Sequence, residues 1–139
     1  YACSDNCDKA QREAFLRCMA PAGKLFPLAE NLHNAGAAVA GCGPAFAAMF
    51  LEALADGGVA CGLPRAAAIQ YAAQMMLGTA QMVLETNQHP GVLKDSVCSP
   101  GGSTIQGVRT LEERGMRAAV LDAVIAAYEK SADLKKASD

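Results

Sequence analysis

Pro64 to Glu85 reads PRAAAIQYAAQMMLGTAQMVLE, and its periodicity decides the fold class. Gln70, Gln74, Gly78, Gln81 and Glu85 recur at intervals of three and four, which puts them on one stripe of an α-helix, while Ala, Ile, Met, Leu and Val fill the opposite side. Pro64 suits the first turn of this helix because its missing N–H falls where no intrahelical partner exists. Small residues such as Ala66, Ala67, Ala73 and Ala80 allow a neighbouring helix to approach closely. Met75, Met76 and Met82 suit core or interface filling better than metal ligation.

Working towards the N-terminus, residues from about 31 to 61 are helical in composition, with a break at Gly41-Cys42-Gly43-Pro44 where glycine loosens the backbone and proline removes a donor. Ala45 to Ala55 is apolar on nearly all sides apart from Glu52, the mark of a helix that is buried or sandwiched between partners. Gly57-Gly58 weakens its last turns. The run Lys24-Leu25-Phe26-Pro27-Leu28 reads as a lone strand, which needs a sheet or another chain to pair with. Before it, about Cys7 to Met19 has helical composition behind the possible cap Ser4-Asp5.

Working towards the C-terminus, His89-Pro90 opens a short helix to about Val97, and Ser99-Pro100-Gly101-Gly102 forms a loop. Ser103-Thr104-Ile105-Gln106 has the form of a capping box opening a helix that Gly115 closes. A last helix, about 116 to 135, carries Val120, Val124, Ala127 and Tyr128 on one side. The predicted architecture is all-α with one orphan strand.

Composition narrows the function. Hydrophobic residues make up 52% of the 139, charged residues 19% and aromatics 5%. A domain of this size is expected to hide roughly two thirds of its unfolded surface, yet so apolar a chain has material left over for an oligomeric interface. A formal charge of -2, with both signs mixed along the chain, provides no electrostatic footprint for nucleic acid or an anionic membrane. The uncharged stretches Asn34–Leu51 and Ala66–Leu84 approach membrane-span length, but the first is broken by Gly41 to Pro44 and the second carries three glutamines. Six cysteines without CxxC or zinc-type His spacing, and without a secretory leader, read as free thiols of a cytoplasmic protein, with no metal site.

The sharpest chemical signal is Ser99-Pro100-Gly101-Gly102-Ser103-Thr104 at a helix start. Unpaired backbone N–H groups, two glycines that permit close approach and three hydroxyls together make a cradle for a small anion such as a carboxylate. The same six residues also fit an ordinary capped helix after a Pro-Gly turn. Gly41-Cys42-Gly43-Pro44-Ala45-Phe46 fails as a dinucleotide fingerprint, since Phe46 stands at the third glycine and no strand precedes it. Glu52 and Asp56, one turn apart, fit a solvated edge or an interface contact better than acid–base work. His89 suits local structure at its helix start.

Taken in order, Gly41 to Phe46, Glu52 to Val59, Gly62-Leu63-Pro64-Arg65, His89-Pro90-Gly91, Leu93-Lys94-Asp95 and Ser99 to Ile105 resemble the C-terminal domain of pyrroline-5-carboxylate reductase. The resemblance implies a helical dimerisation domain of the 6-phosphogluconate dehydrogenase C-terminal-like type over residues 30–139. Residues 1–29 would be the last helix and strand of a missing Rossmann domain, so that the chain is a fragment, inactive alone. The implied activity reduces 1-pyrroline-5-carboxylate to L-proline, the last step of proline biosynthesis, with NADPH or NADH bound mainly by the missing half.

Val97, Ser99, Gly102, Ser103 and Thr104 would bind substrate, with Thr104 as the catalytic residue through its hydroxyl on the ring nitrogen. Gly41, Cys42, Gly43 and Pro44 would lie near the nicotinamide. Where family members carry hydroxyls around the glycine break, this chain has Ala37, Ala40 and Cys42. The implied partner is a second copy, with a homodimer or a higher oligomer formed through the helices. Two alternatives stay open: a stand-alone, non-catalytic dimerisation module, or a reductase of a related imine or 2-hydroxy acid.

Overall fold

A computed structural model describes residues 1–136 of the chain. Among them the regular elements are all helices: α1 Lys9–Met19, α2 His33–Ala40, α3 Gly43–Ala60, α4 Arg65–Thr86, α5 Pro90–Ser96, α6 Ser103–Glu113 and α7 Met116–Lys136, with 3₁₀ turns at Ala20–Ala22 and Glu30–Leu32. The helical reading holds throughout, and the observed ends shift by a few residues.

α1 starts later than Ser4-Asp5 suggests. Asp8 caps it reciprocally: the Asp8 carboxylate accepts from the Gln11 N–H at 2.8 Å, and the Gln11 side-chain oxygen accepts from the Asp8 N–H at 3.0 Å. The expected strand over 24–28 is absent, because the segment finds only Tyr1 to pair with. The Tyr1 amine donates to the Phe26 carbonyl at 2.8 Å and the Leu28 N–H to the Tyr1 carbonyl at 2.9 Å. This is the bonding pattern of one step in a parallel ladder, and one step does not make a strand. Leu28 then anchors the segment to α2. A Cβ on Gly36 would lie 2.9 Å from the Leu28 Cδ2, so a larger residue there would make the Leu28 side chain shift.

The break between α2 and α3 falls at Gly41-Cys42, with Pro44 in the first turn of α3. α3 turns back through Gly62, at φ +97, into α4. The two helices pack closely: a Cβ on Gly58 would sit 3.2 Å from Leu63 Cδ1 and 3.3 Å from Ala68 Cβ. Beside the turn that closes the hairpin, the Arg65 guanidinium meets the Asp56 carboxylate at 2.5 Å, both side chains being exposed. α4 ends at Asn87, whose left-handed φ of 53 terminates the helix.

Two groups of helices result. α3 packs mainly on α4, and α2 packs on α7, which also carries α6. The hairpin makes no comparable contact with α6 or α7 among the described residues.

The core is correspondingly thin. The buried hydrophobic residues among those described are Ala38, Ala55, Ala68 and Ala72; at about 0.8 kcal/mol per methyl-sized group they contribute only roughly 3 kcal/mol. The chain exposes 10633 Å², against about 6,800 Å² expected of a compact monomer of its mass and about 20,700 Å² for the unfolded chain. It therefore hides about half of its unfolded surface rather than the expected two thirds. The deficit consists of large side chains: Ile69, Tyr71, Leu77, Met82 and Leu84 on α4 are all at least half exposed.

Candidate functional site

The candidate residues from Val97 to Thr104 form one continuous bend between α5 and α6. α5 is fixed at its start by His89, whose Nδ1 accepts from the Gly91 N–H at 3.0 Å, so this imidazole does serve local structure. Val97 caps the other end and is largely exposed. Ser99-Pro100-Gly101-Gly102 then closes a turn through the Gly102 N–H and the Ser99 carbonyl at 3.0 Å. Gly101 holds φ +69 in third position, the type II arrangement that favours proline before it and glycine there.

The expected capping box does not form. Gly102, at φ -73 and ψ 169, is the N-cap of α6, so Ser103 lies inside the first turn and no side chain caps this end. The turn is responsible: its bond to Ser99 leaves Gly102 as the extended residue, one position ahead of the Ser-x-x-Gln pattern. As a result the Ser103, Thr104 and Ile105 N–H groups lack both an intrahelical acceptor and a capping oxygen.

The hydroxyls at this end are also unengaged. Thr79, Thr86, Ser96, Thr110 and Ser131 donate back to carbonyls three or four residues earlier. Ser99, Ser103 and Thr104 make no such bond among the described residues, since a first-turn hydroxyl has no helical carbonyl behind it. A Cβ on Gly102 would stand 2.3 Å from the Ser99 Oγ, so glycine is needed for that hydroxyl to lie where it does. The arrangement is a short positive helix end carrying free amides and free hydroxyls, suited to a carboxylate.

Gly41, Cys42, Gly43 and Pro44 lie elsewhere in the chain, at the junction of α2 and α3. No hydrogen bond or ion pair joins them to the bend among the described residues. A Cβ on Gly41 would meet the Ala37 carbonyl oxygen at 2.9 Å, whereas Gly43 faces open space. The junction thus leaves room for a ligand beside Gly43, and contributes no fingerprint of its own. No group of three or more His, Cys, Asp or Glu that could hold a metal ion occurs among the described residues.

A second feature went unanticipated. Val108 and Leu111 of α6 and Met116, Val120, Leu121, Val124 and Ile125 of α7 line an open apolar groove of about 720 Å³. Lys94 and the Arg117–Glu112 pair, at 2.6 Å, lie along it. A hydrogen bond to Asp95 holds the Lys94 ammonium above the usual lysine range. The helical spacing of Val108 with Leu111 and of Val120 with Val124 carried the signal, but only the packing of α6 on α7 turns two stripes into one groove. By length and composition alone, Glu30–Ala60, at mean hydropathy 1.6 and only 6% buried, would also suit a membrane crossing.

An all-helical domain whose apolar faces exceed what it can bury, with an uncapped helix end on one bend, has the form of a helical pairing domain. The comparisons narrow the class. Residues 30–134 match the family model for pyrroline-5-carboxylate reductase dimerisation, and the chain belongs to that family.

It is 49% identical over 129 residues to the pyrroline-5-carboxylate reductase of Escherichia coli, covering 93% of this chain and 47% of that protein. The solved pyrroline-5-carboxylate reductase of Coxiella burnetii superimposes with a TM-score of 0.89 at 31% identity, over 96% of this chain and 50% of the other. That of Plasmodium falciparum, with NADP bound, gives 0.83 at 33% identity, over 92% and 51%. The chain thus spans about half the length of the relatives it matches.

Proposed function

We propose that this chain is the dimerisation and substrate-binding part of a pyrroline-5-carboxylate reductase, an oxidoreductase that converts 1-pyrroline-5-carboxylate to L-proline in the cytoplasm. The observation that carries the reading is the uncapped start of α6, where the Ser103 and Thr104 amides and the Ser99, Ser103 and Thr104 hydroxyls are all unspent. These groups hold the carboxylate of the cyclic imine. Gly102 acts by the absence of a side chain, since its own N–H is committed to the turn. The Thr104 hydroxyl bonds the ring nitrogen, which favours the protonated, more electrophilic imine. Val97 supplies an apolar wall.

NADPH or NADH supplies the hydride when bound, held mainly by a nucleotide-binding half, with Gly41 to Pro44 near the nicotinamide. The protein's own part is orientation and charge stabilisation. Residues 1–29 fit the end of that half: Tyr1 and the 24–28 segment lie side by side with α1 between them in sequence, and the two bonds at Tyr1 have the pattern of a parallel pair. The exposed apolar faces pair with a second copy, which accounts for the missing core and for the hydropathy of Glu30–Ala60 without a bilayer.

Crystals of the two-domain protein soaked in L-proline test the site. The expected density lies at the α6 start, with its carboxylate on the Ser103 and Thr104 amides. Ordered proline elsewhere, with only solvent at that turn, would remove the assignment.

A further inference from the structure

Leu28 is where residues 1–28 meet the helices that follow, and its N–H, side chain and carbonyl are all engaged. The N–H donates to the Tyr1 carbonyl at 2.9 Å, the side chain lies against Gly36 of α2, and the carbonyl accepts from the His33 Nε2 at 3.2 Å. A carbonyl can only accept, so the ring presents Nε2–H to it. Local geometry allows this bond. After extended Ala29, the 3₁₀ turn Glu30–Leu32 closes with the Leu32 N–H on the Ala29 carbonyl at 2.9 Å and brings His33, the first residue of α2, back beside Leu28. Among the described residues, no other hydrogen bond or ion pair crosses from residues 1–28 to α2 or any later helix. α1 packs on the turn that follows it and on no later helix to a comparable extent. The joint is thus one residue wide, and His33 holds one side of it.

We propose that His33 is a positioning residue for hydride transfer: by tying the start of α2 to Leu28, it sets the angle at which a nucleotide-binding half presents the nicotinamide to the helical half. This rests on the reading of residues 1–29 as the end of that half. α2 runs from His33 to Ala40 and leads directly into Gly41-Cys42-Gly43-Pro44. A tilt at its first residue is therefore carried along roughly 12 Å of helix to the break assigned beside the nicotinamide. Reacting atoms must come within about 3 to 3.5 Å, and a displacement of about 1 Å arising far from the chemistry can cost on the order of a hundredfold in rate. His33 is exposed and acts through α2 rather than by contact with either reactant.

The test uses the two-domain reductase. In His33→Ala, kcat is expected to fall about tenfold, while the dissociation constants of the nicotinamide cofactor and of L-proline stay within about twofold of wild type, because each reactant keeps its own site and only their mutual placement is lost. His33→Gln is expected to recover most of kcat, since the Gln amide N–H reaches the place of the ring Nε2–H. A His33→Ala enzyme whose kcat stays within about twofold of wild type overturns the proposal. So does a fall that His33→Gln leaves unrepaired, or one accompanied by equal weakening of both ligands, the mark of a general loss of structure. The underlying reading fails separately: a wild-type two-domain protein that reduces no 1-pyrroline-5-carboxylate ends it before any variant is compared, and this proposal with it.

Discussion

The apolar faces and the α5–α6 bend differ in how far apart in sequence their parts lie. The bend is built from eight consecutive residues, 97–104, and its geometry follows from one turn bond and one positive-φ glycine. The faces draw on α3, α4, α6 and α7, yet within one chain they enclose little beyond four alanines. An uncapped helix end can therefore form locally, whereas the scaffold that carries it leaves large apolar side chains uncovered within one chain. Helices as apolar as α4 are stable in water when a partner completes their burial.

The largest effect should come from charging the groove. Val120 is 45% exposed in the single chain, so Val120→Asp should cost little there. If a second copy covers α7, the same carboxylate is buried without a partner at about 3 to 5 kcal/mol. Sedimentation equilibrium should then show self-association weakened by at least about a hundredfold, with melting that depends on protein concentration in the wild type. A dimer of unchanged affinity would move the interface elsewhere and leave α7 as ordinary exposed surface.

Next in size is the effect on the bend. Thr104→Ala, made in the two-domain reductase, should cost about 1.5 to 3 kcal/mol of transition-state binding, roughly 10- to 150-fold in kcat/KM. The dimer should be unaffected, since the hydroxyl has no hydrogen bond among the described residues. A loss below about threefold would leave the free hydroxyl without a catalytic role.

The sequence made the bend more legible than the scaffold. Ser99 to Thr104 could be read directly because turn residues and helix starts are local. The details that failed were also local competitions: Asp8 outcompetes Ser4-Asp5 because it alone has Gln11 three residues on, and Gly102 displaces Ser103 because the Pro100-Gly101 turn comes first. The 24–28 run failed as a strand for a non-local reason. Its apolar residues have strand character, but ladder bonds need a neighbour, and Tyr1 offers only one step. The groove could be read only as two separate stripes, since those of α6 and α7 meet only after the turn at Gly115, where φ is +72. The estimate of a two-thirds-buried domain assumed one chain around one core, an assumption that α4's exposed apolar residues contradict.

The smallest effect should separate local order in the bend from the rest of the fold. His89 accepts the Gly91 N–H through Nδ1 and so sets where α5 begins, and with it the approach of Val97 to Thr104. His89→Ala removes that acceptor at a cost of about 1 kcal/mol, the usual worth of an N-cap, and His89→Asn should recover most of it because an amide oxygen can take the same bond. Hydrogen exchange should register the loss as faster exchange in residues 90–104, while the amides of α3 and α4 keep their rates and the association constant stays put. If exchange instead quickened across all helices together, the bend and the scaffold would open as one cooperative unit, and the locality ascribed to the site would be wrong.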